Sequence, residues 1–306
     1  MKSVAIMMST YNGEKYLREQ LDSILAQVGV EVTLYIRDDG SNDSTKSILN
    51  EYSEKHSNVH LIFGANVGVG NSFMELLYSA PDTFDYYAFS DQDDFWESEK
   101  IVEAIKILEE KNALLYVSDL NCVDQDLNPI GMRYKNKSEI NLQPEAIIYS
   151  NNLNGCTMVF PNRFYKTLVE EEHRPNPEVL IIKNHDGWIA AVAALFNGIF
   201  FDERSFIKYR QHAGNVVGAY GGFRKKIKGW NKKFSHRKYR ALTWRLANEI
   251  CKKFPNEAVN FPLILLYTRA KTFKGKMKLI KNNKKLRSYT SEGYFHYFIK
   301  VMLGWL

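Results

Sequence analysis

Three carboxylates stand within four residues in Ser90-Asp91-Gln92-Asp93-Asp94, directly after the β-type run Tyr86–Phe89. Like charges this close repel, and a carboxylate at a buried strand end is costly unless it is paired or binds a cation. Asp91-x-Asp93 brings two oxygen donors near one point, which suits a hard divalent ion such as Mg²⁺ or Mn²⁺. Such an ion keeps several waters and shares its other positions with substrate phosphates, so the pattern points to a site for a diphosphate. A solvated acidic turn capping the next helix is the plainer alternative, and an isolated D-x-D does not decide between them. Two further segments have the residue types for chemistry. Asp38-Asp39-Gly40-Ser41-Asn42-Asp43 ends a strand and starts a helix, with Asp43 or Ser41 as cap and Gly40 in a tight turn. A carboxylate there can accept from a nucleobase imide N–H or a ribose hydroxyl. His185-Asp186-Gly187-Trp188 opens a helical pattern, where Asp186 suits the positive end of the helix dipole.

The elements that must position these residues follow from periodicity. Apolar runs at Val4–Met8, Val32–Ile36, Val59–Phe63, Tyr86–Phe89 and Leu114–Val117 are bounded by turn residues. Between them lie helical patterns, Tyr16 to Leu25 and Ile101, Ile105, Leu108. Alternation of this kind predicts βαβ units, a mostly parallel sheet and helices on both of its faces. Ligands of such sheets bind at the carboxyl ends of strands. The polar clusters Ser9–Gly13, Asp38–Ser41, Gly64–Asn66 and Ser90–Asp94 sit at those ends, so all four are expected on one rim. Further strands are expected over Leu153–Phe160 and Phe200–Tyr209, with helices near 162–172 and 185–196. Residues 124–150 read as a polar, loop-rich segment broken at Asn128-Pro129 and Gln143-Pro144.

A chain of 306 residues, 45% hydrophobic, can bury a large core, which excludes global disorder. The three cysteines, Cys122, Cys156 and Cys251, have neither disulfide-framework nor zinc spacing and read as reduced thiols. The start, Met-Lys-Ser-Val-Ala-Ile-Met-Met, reads as a first strand and not a signal peptide. The apolar stretch Trp188–Phe201 is broken at Asn197-Gly198 and is shorter than the ~20 residues that span a bilayer, so it reads as a buried helix followed by a strand. The net charge of +6 hides a split. Residues 223–306 hold 22 Lys and Arg against three acids, Glu249, Glu257 and Glu292. The remainder is acidic, which suggests two parts with different partners.

Together the motifs resemble the family 2 glycosyltransferases, inverting enzymes with the GT-A fold. The resemblance runs through Ser9-Thr10-Tyr11-Asn12-Gly13, Asp38-Asp39-Gly40-Ser41, Asn66-Val67-Gly68-Val69-Gly70-Asn71 and Ser90–Trp96, and covers roughly the first 215 residues. It implies a nucleotide-sugar donor held by Thr10, Tyr11, Asn12, Asp39, Asn71 and Asp91, with Asp39 at the uracil or thymine. It implies a metal at Asp91 and Asp93, Asp93 being the direct ligand and Asp91 the one that more often faces ribose or sugar. The glycine run is no dinucleotide fingerprint, because it follows the third strand and lacks G-x-G-x-x-G. His185-Asp186-Gly187-Trp188 is similar to a segment of the rhamnosyltransferase-like members, in which Asp186 would be the catalytic base. Tyr209-Arg210-Gln211-His212-Ala213-Gly214-Asn215 is similar to another. There Arg210 or His212 would neutralise the leaving diphosphate, and His212 would also be a candidate metal ligand; a loop that only closes over the site is the alternative.

The resemblance thus implies an inverting, Mn²⁺- or Mg²⁺-dependent transferase. It moves a sugar, with rhamnose from dTDP-rhamnose preferred, to a lipid-linked or polysaccharide acceptor in cell-wall, capsule or O-antigen synthesis. Transfer from a UDP-sugar is the alternative within the family, and a non-catalytic binding protein with a degenerate site is the alternative outside it. A GT-A domain is expected over residues 1–220 and a basic, mainly helical region over 221–306. Ten Lys/Arg between Phe223 and Asn248 and nine between Arg269 and Arg287, with no acid in either run, are interleaved with or followed by aromatics. That pattern suits nucleic acid or an anionic leaflet, which attracts each nearby basic residue by ~1 kcal/mol. Beside a sugar-transfer site the membrane is preferred. The expectation is therefore a cytoplasmic enzyme, peripheral on the inner face of the cell membrane, with a polyprenyl-diphosphate-linked acceptor and no nucleic-acid partner.

Overall fold

A computed structural model describes residues 1–134, 140–212, 242–288 and 293–305, and of residues 181–183 the backbone alone. The basic run from Phe223 to Arg240, and Ala213 to Asn215 of the Tyr209–Asn215 motif, lie outside the described residues. The first half of the chain runs β1 (Lys2–Thr10), α1 (Leu17–Leu25), β2 (Val30–Asp38), α2 (Thr45–Lys55), β3 (Val59–Phe63), α3 (Val69–Ser79) and β4 (Tyr86–Ser90). It continues through β5 (Phe95–Trp96), α4 (Lys100–Lys111), β6 (Leu115–Val123), β7 (Pro129–Met132) and α5 (Pro144–Tyr149). Then come β8 (Val159–Pro161), α6 (Asn162–Val169), α7 (Pro177–Leu195) and β9 (Ile199–Arg210). Among the described residues six short helices follow: α8 (Leu242–Lys253), α9 (Pro255–Ala258), α10 (Pro262–Tyr267), α11 (Phe273–Lys281), α12 (Asn283–Arg287) and α13 (Tyr294–Met302).

The strands form one sheet in the order β3-β2-β1-β4-β8-β6-β9-β5, with β7 paired to β6. The longest ladders, β1 with β2 and β6 with β9, are parallel. Strands buried on both faces read as continuous apolar runs, and Val4 to Met8 are wholly buried. The order β3-β2-β1-β4 brings the carboxyl ends of four parallel strands side by side. Registers pair Thr10 with Asp38, Asp38 with Phe63 and Met8 with Ser90. The four polar clusters therefore share one rim, as the alternation predicts. α1 and α4 bury their apolar stripes on the sheet through Leu17, Leu21, Ile24, Ile101, Ile105 and Leu108.

Two expectations change. Leu153–Phe160 is not one strand: Gly155–Thr157 is a turn of 3₁₀ helix and only Val159–Pro161 joins the sheet. Asn154-Gly155 interrupts the apolar run, and an apolar run alone cannot tell strand from turn. The compact units also do not follow a single cut near residue 220. The first consists of Met1–Lys135, Leu153–Glu170 and Gly198–Ala219, the second of Asn136–Asn152, Glu171–Asn197 and Tyr220–Leu306, each in its described part.

In the second unit α7 lies against α5 and α8. Phe254, after α8, joins this packing, with its ring 4.5 Å from His173 and 6.1 Å from Trp188, centroid to centroid. The Tyr267 hydroxyl donates to Glu145 O (3.1 Å), tying α10 to α5. Asn184 has φ of 54° and breaks α7 into two helical stretches, so the second begins at His185. The apolar stretch Trp188–Phe201 divides as expected into helix and strand, turning at Asn197 (φ 50°). No helix among the described residues is long and apolar enough to cross a membrane.

Candidate active site

The two aspartates that end β2 do different work. Asp38 is wholly buried, and its Oδ2 accepts from the N–H groups of Gly40 (3.1 Å) and Ser41 (2.9 Å). It thereby closes the turn on itself. Gly40, at φ +83°, has Asn66 N only 3.2 Å from where a Cβ would sit, so a side chain there is both strained and crowded. Asp39 points the other way. Its Oδ1 accepts from Val67 N (2.8 Å) and from the buried guanidinium of Arg37, and its Oδ2 accepts from Gly68 N (3.0 Å). Arg37 also pairs with Glu75 (2.6 Å) and donates to Ala65 O (3.1 Å). Oδ2 keeps a lone pair for one more donor, which is what an imide N–H supplies. Neither candidate takes the cap position of α2, which is Ser44 and has no side-chain cap bond; Asp43, just before it, accepts from Thr45 N (3.0 Å). The Ser41 hydroxyl instead accepts from Asn12 N (2.9 Å).

The loop after β1 is stitched to both neighbours. Asn12, at φ 48°, receives Asn42 N on its side-chain oxygen (2.9 Å). Gln92, the residue between Asp91 and Asp93, accepts from Tyr11 N (2.9 Å) and donates to Tyr11 O (3.1 Å). A Cβ on Gly13 would stand 2.2 Å from the Gln92 side-chain oxygen, so a side chain there would displace the Gln92 amide from its present place. Thr10 is buried, Tyr11 is exposed, and Asn71 is bonded to Val67 O (3.2 Å).

The carboxylates after β4 separate into three roles. His212, two residues beyond β9, has Nε2 2.7 Å from Asp93 Oδ2. A carboxylate oxygen of Asp91, one of Asp94 and the Sγ of Cys156 lie within 4.8 Å of one another. The structure brings Asp93 and His212 into direct contact, and Asp91 and Asp93 both stand beside the buried Asp94. Asp94 is wholly buried; its Oδ1 accepts from Arg210 N (3.1 Å), which steadies the loop. Burial, with Asp93 and Asp91 beside it, holds the Asp94 carboxyl well above the usual carboxylate range. Lys100 is buried beneath, its ammonium 3.6 Å from the centre of the Trp96 ring, and burial lowers its pKa to about 7. Asp93 and Asp91 are hard oxygen donors and His212 a borderline nitrogen donor, a set that fits a divalent cation and suits Mn²⁺ more than Mg²⁺.

Arg210 departs from the expectation that it meets a diphosphate. It is 2% exposed, and its guanidinium donates to Asp93 O (2.9 Å), to Gln125 O and to the Glu19 carboxylate. Tyr16 lies against both Arg210 (4.4 Å to the ring centroid) and the His212 ring (5.1 Å between centroids). Arg210 thus ties the Asp93–Asp94 loop to Gln125 and Glu19. Asp186 belongs to the second unit, where its Oδ1 accepts from Gly187 N (2.6 Å), and is half-buried. Its neighbour His185 is buried, which pushes the imidazole down to about 3. Arg37, Gln92 and Glu19 escape motif reading. Arg37 leaves one signal, a cation inside the apolar end of a strand, which must find a partner.

A dense rim of carboxylates at the ends of parallel strands is the architecture of a GT-A enzyme. The model of the family "Glycosyl transferase family 2" matches residues 5–173. A dTDP-rhamnosyl transferase of Shigella flexneri, RfbG, is 31% identical over 231 residues, covering 72% of this chain and 77% of that one. TuaG of Bacillus subtilis, a putative teichuronic acid biosynthesis glycosyltransferase, is 25% identical over 165 residues, covering 52% of this chain and 62% of that protein. Among solved structures, S. aureus TarS 1–349 superposes with a TM-score of 0.59 at 18% identity, over 99% of this chain and 90% of that one. Against a longer TarS structure the chain spans 54% of that protein. The chain belongs to glycosyltransferase family 2. It is a glycosyltransferase with the GT-A fold and a helical C-terminal region.

Proposed function

We propose that this enzyme transfers rhamnose from dTDP-rhamnose, with inversion and with a divalent cation, to a lipid-linked or polysaccharide acceptor of a cell-wall, capsular or O-antigen glycan. The observation that carries the site reading is the pair Asp93–His212: residues 119 apart in sequence meet at 2.7 Å on the sheet rim. The choice of rhamnose is supported by the relative described as a dTDP-rhamnosyl transferase. Thr10, Tyr11, Asn12 and Asn71 are assigned to the nucleotide, with Asp39 accepting from the imide N–H of the base. That contact is the same for thymine and uracil, so it does not discriminate dTDP from UDP. Asp93 and His212, with Asp91, would hold the cation, Mn²⁺ or Mg²⁺; Asp91 is also assigned to the nucleotide. When bound, the cation supplies Lewis-acid stabilisation of the leaving diphosphate. Arg210 is a positioning residue for this loop and not a diphosphate ligand.

Asp186 is the base. It takes the proton of the acceptor hydroxyl as that oxygen attacks the anomeric carbon opposite the nucleoside diphosphate. One C–O bond forms as the other breaks, and the configuration inverts. Catalytic residues are assigned to 1–220. The basic region 221–306 keeps the enzyme at the cytoplasmic face of the membrane, where polyprenyl-diphosphate-linked acceptors lie. A donor panel of dTDP-rhamnose and UDP-sugars, assayed for hydrolysis and transfer with Mn²⁺, Mg²⁺ or EDTA, tests the reading. Turnover of a UDP-sugar in place of dTDP-rhamnose reassigns the donor. Undiminished turnover in EDTA removes the metal, and retention in the product's NMR spectrum removes the inverting mechanism.

A further inference from the structure

Several of the apolar residues that the second unit leaves at its surface fall in stripes on two helices. On α11, Phe273 is 74% and Met277 48% exposed, with Ile280 half-buried. On α13, Phe295 is 75%, Met302 39% and Leu303 54% exposed, with Ile299 half-buried. These spacings, i, i+4, i+7 and i, i+4, i+7, i+8, each define one face of a helix. The core of the unit does not use them. It takes other faces of the same helices, Gly275 and Leu279 on α11, Tyr297 and Val301 on α13. The Tyr297 hydroxyl donates to Leu279 O (2.9 Å), and Lys276 Nζ donates to Met302 O (2.7 Å), so the two helices are joined already. Lys274, Lys278, Lys281, Lys284 and Lys285 are all exposed around them, and no acid occurs from Arg269 to Arg287. Single exposed apolar side chains are ordinary, but apolar stripes bordered by cations mark an interaction surface.

We propose that α11 and α13 lie in the plane of an anionic bilayer surface. The stripe residues enter the headgroup boundary, and the lysines meet lipid phosphates. Charge decides the occupant. A second copy of the chain would set the same lysines against each other, whereas acidic lipid neutralises them. With nine residues each, the helices lie on a membrane and do not cross it. The inference rests on the membrane reading above and adds the mode of attachment, which is insertion as well as charge.

The full-length protein is sedimented with vesicles of phosphatidylcholine containing phosphatidylglycerol, and of phosphatidylcholine alone. We expect binding to the anionic vesicles that persists in part at high salt. The variant Phe273→Ser/Phe295→Ser/Leu303→Ser should bind them roughly tenfold more weakly. Its melting temperature and donor hydrolysis should stay unchanged. Lys278→Gln/Lys281→Gln/Lys284→Gln/Lys285→Gln should lose the preference for anionic lipid. Wild-type binding by the apolar variant overturns the inserted face and leaves charge-driven docking standing. A wild-type protein that ignores anionic vesicles overturns both. If the apolar variant turns a dimer into a monomer with lipid binding unchanged, the face belongs to a second copy and the proposal fails.

Discussion

At the residue scale, the site is built from side chains that satisfy one another before any ligand arrives. Asp39 shows this best. Its charge is balanced by Arg37 and its loop is fixed through Val67 N and Gly68 N. Removing one partner of a buried ion pair costs about 3–5 kcal/mol and leaves the other uncompensated. Arg37→Met should therefore lower the melting temperature and weaken nucleotide binding at least tenfold, although Arg37 is not assigned to the nucleotide. Calorimetric titration with dTDP checks this, and wild-type affinity would remove Arg37 from the argument. Asp93→Ala and His212→Ala should each abolish the part of nucleotide affinity that depends on added Mn²⁺. Adding the second substitution to the first should change little, because both are assigned to one cation. Asp186→Asn should bind donor normally but lose transfer by ~10²–10⁴. Full activity in that variant places the base elsewhere.

At the scale of elements, what was legible in the sequence was what short range dictates. The alternation of apolar runs and helical spacing gives β1 to β4 and the rim they share, because period and turn residues are local. Two facts were not local. Leu153–Phe160 is apolar but divided between a 3₁₀ turn and a three-residue strand, a choice made by its neighbours in the sheet. Arg210 looks like an anion ligand until Glu19 and the Asp93 carbonyl are seen to occupy it. The kink at Asn184 starts the second stretch of α7 at His185, whose imidazole burial holds near 3 against an ordinary value near 6.5. Below pH 6.5 the unfolded chain takes up a proton that the folded chain refuses. Stability should therefore fall as pH drops from about 6.5 towards 3, with no contribution above 6.5. Denaturant titrations across that range should show a shallower fall for His185→Phe than for the parent chain.

At the scale of the whole molecule, the two compact units are threaded through each other in sequence. α5 and α7 come before residue 220 but pack with α8 and α10, which come after it. A chain ended at residue 220 would keep α7 and lose Phe254, which its Trp188 and the nearby His173 contact. Such a chain should be poorly soluble and lack a cooperative thermal transition, read by scanning calorimetry. A well-folded 1–220 fragment would show that α7 needs no partner from the C-terminal helices. No motif forecasts this dependence, because it joins residues far apart in sequence through packing alone.

Gln92 gives the site a thermodynamic property. One side-chain amide grips both the N–H and the carbonyl of Tyr11, while its chain neighbours are Asp91 and Asp93. Ordering either loop therefore orders the other, and each ligand lowers the entropy cost of the next. For the proposed ligands linkage would make the effect reciprocal: Mn²⁺ would tighten dTDP by the factor by which dTDP tightens Mn²⁺. In Gln92→Ala the two affinities should drift towards independence, so donor and cation would no longer report each other's presence.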